Sequence, residues 1–207
     1  MTTKVPRLSQ GTFLERGFQM ENIGNIFYFD WELDFLHWLQ DMHNGFLDFI
    51  LPKITFLGNG GWFMIVVTLL LLILPYNRKM GLQAAIALIL STIVCNIILK
   101  PSIMRCRPCW LEPEIQILTN MPDDYSFPSG HSNASFAVAT AILTRNKKLG
   151  IPAIILAAVI AFSRLYLFVH WPTDVIVGTI TGICGGIVSF YIVNFIYKKI
   201  SDKKLTA

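Results

Sequence analysis

The sequence predicts an all-α fold: a bundle of six transmembrane helices preceded by an amphipathic segment at the membrane interface. Three observations predict it. Of 207 residues, 54% are hydrophobic and only 14% charged, which is too apolar for an ordinary soluble domain. Four apolar stretches run over 62–74, 80–99, 149–167 and 175–197, and the last three approach the ~20 residues that cross a bilayer as a helix. Polar residues that are costly beside a bilayer gather at one end of these stretches.

In chain order, residues 1–44 form a lead-in, 45–198 the transmembrane core and 199–207 a cytoplasmic tail, all in one domain of 1–207. Residues 1–25 lack the apolar run and small-residue cleavage site of a secretory signal peptide. Asp30, Trp31, Phe35, Trp38 and Leu39 give the end of the lead-in an apolar and a polar side. An interfacial helix and a solvated lead-in are equally good readings of that pattern. Two shorter stretches complete the six: 46–57, interrupted by Pro52 and Lys53, and 132–143, rich in small and hydroxyl residues. Both count as spans, because membrane helices tolerate proline and small polar residues where neighbours shield them. In the last stretch Gly178, Gly182 and Gly186 share a face that lets another helix come close, and packing within the bundle is preferred to a dimer seam.

A net charge of +4 does not mark a nucleic-acid binder here, since the basic residues form no stripe and are not interleaved with aromatics. They report topology instead. With six spans and the N-terminus inside, 12 of the 17 Lys and Arg residues are cytoplasmic: Lys4, Arg7, Arg16, Arg78, Lys79, Arg145, Lys147, Lys148, Lys198, Lys199, Lys203 and Lys204. The five exceptions are Lys53, Lys100, Arg105, Arg107 and Arg164. Of the four cysteines, Cys95 and Cys184 read as packing residues within apolar stretches. Cys106 and Cys109 have CxxC spacing without a second pair, so a metal role is disfavoured and a local disulfide stays open.

Three polar clusters fall at one predicted face: Lys100 and Arg107; Pro128-Ser129-Gly130-His131; and Ser163-Arg164 through His170 to Asp174. Ionisable groups at a membrane face are functional candidates. Three cations converging with two histidines require an anionic partner, and phosphate suits them. Ser129 and Gly130 open a helix whose free N–H groups and dipole receive an anion, the arginines add planar forks, and Lys100 adds a point charge. Asp174, four residues after His170 and just past Pro172, can reach back to the histidine ring, fix its tautomer and leave the other nitrogen free to attack. His131 then remains to protonate the departing oxygen. His37 and His43 have no such company and read as interfacial.

Lys100-(x6)-Arg107-Pro108, Pro128-Ser129-Gly130-His131 and Ser163-Arg164-(x5)-His170-(x3)-Asp174 together resemble the three-part signature of the type 2 phosphatidic acid phosphatase (PAP2) family, in spacing and residue type. The apolar spans resemble its membrane branch. The resemblance implies a metal-independent phosphatase without cofactor, acting on a lipid phosphate. It implies His170 as nucleophile, His131 as acid and base, Asp174 orienting His170, and Lys100, Arg107, Ser129, Gly130 and Arg164 holding phosphate. It also implies a multi-pass protein of a bacterial cytoplasmic membrane, with both termini cytoplasmic and the site outside. Candidate substrates are undecaprenyl diphosphate, which the outward site favours, phosphatidate and phosphatidylglycerophosphate. A lipid phosphotransferase and a non-catalytic lipid binder are the alternatives. Phe168 stands where the family often has glycine, and is expected at the pocket mouth.

Overall fold

The structure, a computed structural model, describes residues 24–205. Among them there is no strand, only an isolated backbone bridge between Asn25 and Arg105. Helix α1 covers Asp30–Asp41, α2 Gly45–Phe56 and α3 Trp62–Ile73. A 29-residue rod, Pro75–Ile103, follows. It joins α4 (Arg78–Thr92), a π-helical stretch (Ile93–Leu99) and α5 (Lys100–Ile103). Short α6 (Pro108–Leu111) precedes α7 (Gly130–Leu143), α8 (Lys147–Tyr166) and α9 (Pro172–Leu205).

Local chemistry sets the boundaries. Asn44 caps α2 by accepting from the Leu47 N–H at 3.1 Å, and Asn146 caps α8 by accepting from Lys148 and Leu149. Between α2 and α3 the chain reads Gly58-Asn59-Gly60-Gly61, and Gly60 and Gly61 take φ of 58° and 70°, a conformation that L side chains avoid.

Helix forms at every stretch expected to span, but the count of six does not follow. Among the described residues three helices are long and apolar enough to cross a membrane, or four if α2 and α3 make one broken span. Those two are bent by 43° at their break, so they run on in roughly one direction and do not fold back as a hairpin. At 12 residues each they extend only ~18 Å, short of a ~30 Å hydrocarbon core. Helix α7, at 14 residues, is also short and is buried along nearly its whole length.

The described part of the lead-in lies at the end where α5 stops and α9 starts. The Asn25 N–H donates to the Met104 carbonyl at 2.6 Å, and Glu32 of α1 pairs with Arg105 at 2.7 Å. The C-terminal end of α9 is at the other end of the bundle. Residues 25–44 thus lie at the motif end and not at the end where α9 stops. Lys4, Arg7 and Arg16 lie outside the described residues. Arg78, Lys79, Arg145, Lys147, Lys148, Lys198 and Lys199 do sit at helix ends away from the three motifs.

Among the described residues the core forms three clusters, a small one of Phe136, Ala139, Ala157, Ala161 and Val175 and two larger ones. At the motif end, Leu36 and Leu39 of α1 pack with Trp110, Leu167, Phe168 and Trp171. Deeper in the bundle, α7 is enclosed by α4, α8 and α9 through small residues such as Ala84, Ala87, Ala137 and Ala141. The glycine stripe of α9 makes this approach possible. A Cβ on Gly178 would lie 2.5 Å from the Ser129 carbonyl oxygen, and one on Gly182 2.4 Å from that of Asn133. The stripe thus packs against α7 inside the bundle, as expected.

Candidate active site

Six of the eight expected site residues, Lys100, Arg107, Gly130, His131, Arg164 and His170, line one cavity of ≈ 620 Å³. They come from five different helix ends. Lys100 opens α5, Arg107 precedes α6, Gly130 and His131 begin α7, Arg164 closes α8, and His170 sits in the turn before α9. The remaining two, Asp174 and Ser129, are fully buried behind the cavity wall.

His170 is 2% exposed. Its Nε2 lies 3.2 Å from Arg107 Nη1, a donor, so this nitrogen presents a lone pair. Its Nδ1 lies 3.5 Å from Asp174 Oδ2 and 3.4 Å from Ser126 Oγ, and the Ser126 hydroxyl donates to the same Asp174 oxygen. Burial, then the charges of Arg107, Arg164 and Lys100, hold the His170 imidazole well below its usual pKa. At neutral pH the ring is uncharged.

Asp174 is itself held from three sides. Its Oδ1 accepts from Arg105 Nη1 at 2.6 Å, and its Oδ2 accepts from the Trp171 N–H at 2.9 Å as well as from Ser126. Arg105, 1% exposed, also donates to Thr173 Oγ1 at 2.7 Å, to Glu32 Oε2 at 2.7 Å and to the Phe27 carbonyl at 3.0 Å. Glu32 in turn accepts from the N–H and hydroxyl of Thr173. A buried polar chain thus runs from Glu32 through Arg105 and Asp174 to the neutral His170 ring. Sequence reasoning missed Glu32 and Ser126, and noted Arg105 only as one of five cations off the topological pattern.

Among the cations, Arg164 Nη1 donates to Thr55 Oγ1 of α2 at 2.8 Å, while its buried Nε has no partner among the described residues. A buried guanidinium N–H at a cavity wall without an acceptor suits an incoming anion. Lys100 and Arg107 are already engaged by Asp124, at 2.5 Å from Arg107 Nη2 and in direct contact with Lys100 Nζ. Burial alone would push the Asp124 carboxyl up, but Arg107 and Lys100 outweigh it and hold it below the usual carboxylate range. This acidic residue stands among the cations that suit phosphate.

Ser129 does not reach the cavity. Its hydroxyl caps α7, accepting from the N–H and hydroxyl of Ser132 at 3.4 and 3.1 Å. The helix start it caps still offers Gly130 to the cavity. Phe168 does not narrow the mouth either. It is 1% exposed, packed in the α1 cluster with His37 stacked at 5.9 Å, and its φ of 57° explains why glycine suits the position. The Cys106 and Cys109 thiols are buried and unpaired. Burial pushes them up to about 12 and about 11, so neither offers a thiolate.

Comparison with known proteins places this arrangement. The family model described as the PAP2 superfamily matches residues 80–198. The undecaprenyl-diphosphatase of Sulfolobus acidocaldarius is 39% identical over 119 residues, which is 57% of this chain and 57% of that one, so the match spans little more than half of that relative. Undecaprenyl-diphosphatase BcrC of Bacillus subtilis is 30% identical over 160 residues, covering 77% of this chain and 78% of that one. Among solved structures, Aquifex aeolicus LpxE superposes with a TM-score of 0.70 at 27% identity, covering 79% of this chain and 96% of that one. The PAP2-type phosphatidylglycerolphosphate phosphatase of B. subtilis shares the fold, with a TM-score of 0.59 at 21% identity over 82% and 85% of the two chains. The chain belongs to the PAP2 superfamily.

Proposed function

We propose that the protein removes phosphate from a membrane lipid through a covalent phosphohistidine on His170, with an isoprenoid diphosphate such as undecaprenyl diphosphate as the favoured substrate. One observation carries the reading: three cations and two histidines from five helix ends meet at one cavity, where the Arg164 Nε has no partner.

In this mechanism His170 Nε2 attacks phosphorus while Asp174 and Ser126 hold the Nδ1 proton. The bond from phosphorus to the leaving oxygen breaks, and His131 gives that oxygen a proton. Water then attacks the phosphohistidine, His131 takes a proton from it, and phosphate and free His170 are released. Lys100, Arg107, Arg164 and the N–H groups at the start of α7 balance the charge that builds on the phosphoryl oxygens. Ser129 contributes by capping that helix start.

The site faces the extracytoplasmic side, and the C-terminus of α9 the cytoplasm. Support comes from the Lys and Arg residues at the opposite helix ends and from the positive-inside rule. The described lead-in then lies outside as well, with Trp31 and Trp38, 51% and 55% exposed, available to the interface. An outward site and two relatives named as undecaprenyl-diphosphatases favour a carrier-lipid diphosphate over phosphatidate or phosphatidylglycerophosphate.

The test is phosphate release by detergent-purified protein, with chelator present, from these three lipids, using His170→Ala as control. The proposal expects release in chelator, none from the variant, and the diphosphate as best substrate. Label transferred to an acceptor lipid, with no free phosphate, would establish a phosphotransferase instead.

A further inference from the structure

The break between α2 and α3 touches the site at an atom that no motif accounts for. Asn59 Oδ1 lies 2.9 Å from His131 Nε2, although the two residues are 72 positions apart. The contact is built from both sides. Gly58 lets the ring settle on the backbone, since a Cβ there would lie 2.3 Å from His131 Cδ2 and 3.0 Å from Cγ. Gly60 and Gly61, at φ of 58° and 70°, let the chain turn from α2 into α3 directly after Asn59. Gly58, Asn59, Gly60 and Gly61 all line the same cavity as His131, alongside Arg107, Asp124, Arg164 and His170. Four residues before Asn59 on the same segment, Thr55 holds Arg164. The broken span thus presents one polar group to a phosphate-facing cation and one to the second histidine.

We infer that Asn59 is a positioning residue for proton transfer, fixing the ring plane and tautomer of His131. An amide oxygen accepts, so the contact forms when Nε2 carries a proton. Nδ1 is then the nitrogen whose proton is exchanged. As imidazolium, His131 gives the Nδ1 proton to the leaving oxygen; as neutral imidazole it takes a proton back at Nδ1 from the attacking water, and Nε2–H stays on Asn59 throughout. Without the amide the ring can turn about its side-chain bonds and either nitrogen can carry the single proton of the neutral form. A second group that orients the base is the usual companion of a histidine in acid and base work.

The inference rests on the reading of His131 as acid and base, and the experiment separates the two. Steady-state kinetics and pH profiles are measured for Asn59→Ala, Asn59→Asp and His131→Ala, with a melting curve for each. Asn59→Ala is expected to lower kcat by roughly 10-fold to 100-fold, part of the ~10²–10⁴ that a placed proton donor contributes, while KM moves less than threefold. Asn59→Asp keeps an acceptor oxygen in place and is expected to recover most of kcat. Its carboxylate also favours the imidazolium, so the alkaline limb of the profile moves to higher pH. Full kcat in a folded Asn59→Ala protein overturns the inference. So does an Asn59→Asp protein that is as slow as Asn59→Ala with an unmoved alkaline limb. Wild-type activity in His131→Ala instead overturns the acid and base reading itself.

Discussion

Replacing Asp124 by asparagine isolates the anion that, among the described residues, pairs with both Lys100 and Arg107. The carboxylate contacts Lys100 Nζ and lies 2.5 Å from Arg107 Nη2, so a substrate phosphate must compete with it for both. The loop does not depend on that carboxylate alone, because Arg107 Nε donates to the Asp124 carbonyl at 2.6 Å and Nη2 to the Tyr125 carbonyl at 3.3 Å. Asparagine therefore removes charge with little change of fold. The Asp124 side chain is 51% exposed, so solvent screens both pairs and each contributes only ~0.5 kcal/mol. Their sum, about 1 kcal/mol, corresponds to about a fivefold change in binding. Asp124→Asn is expected to lower KM, and the inhibition constant of orthovanadate, by about that factor at moderate salt, with the difference shrinking as salt rises. Because Arg107 and Lys100 hold the carboxyl below its usual range, it stays ionised and the effect persists unchanged from pH 5 to 8. A raised KM in the variant would refute the reasoning, since Asp124 would then be aligning the cations for phosphate.

Glu32→Gln leaves Arg105 with one buried carboxylate where it had two, and removing one partner of a buried ion pair costs about 3 kcal/mol, which a lowered denaturation midpoint in detergent will report. Phe168→Gly relieves a left-handed residue, a gain of ~1–2 kcal/mol, but empties a buried site whose loss costs ~3–5. Packing wins, and thermal unfolding should show the variant destabilised by ~2 kcal/mol. Lys100→Gln removes one of the charges that, after burial, Arg107 and Arg164, keep His170 neutral. With less opposition a proton binds more readily, so the acid limb that His170 sets in kcat/KM should move upward in a pH profile.

What the sequence disclosed and what it hid differ in the range of the interactions involved. Apolar runs announce helices because a bilayer constrains every residue of a span, and the three motifs were legible because each is a short run whose residues share one helix end. The span count was not. A Gly-Asn-Gly-Gly break between two 12-residue apolar helices permits a hairpin or a bend equally well, and the contacts that accompany the 43° bend, Thr55 with Arg164 and Asn59 with His131, join residues 109 and 72 positions apart. Ser129 shows the converse limit: its position at a helix start was legible, but the cap that its hydroxyl makes with Ser132 is local and removes it from the cavity. Glu32, Ser126 and Asn59 carried no local signal, because each acts on a residue 44 to 141 positions away. Arg105 did carry one. It was a cation at the wrong end of its helix for topology, and its place between Glu32 and Asp174 supplies the reason. In a membrane protein a charge that violates the topological pattern must be stabilised by something the chain brings to it. Following such a charge to its partners leads from the three motifs to the groups that hold them in place.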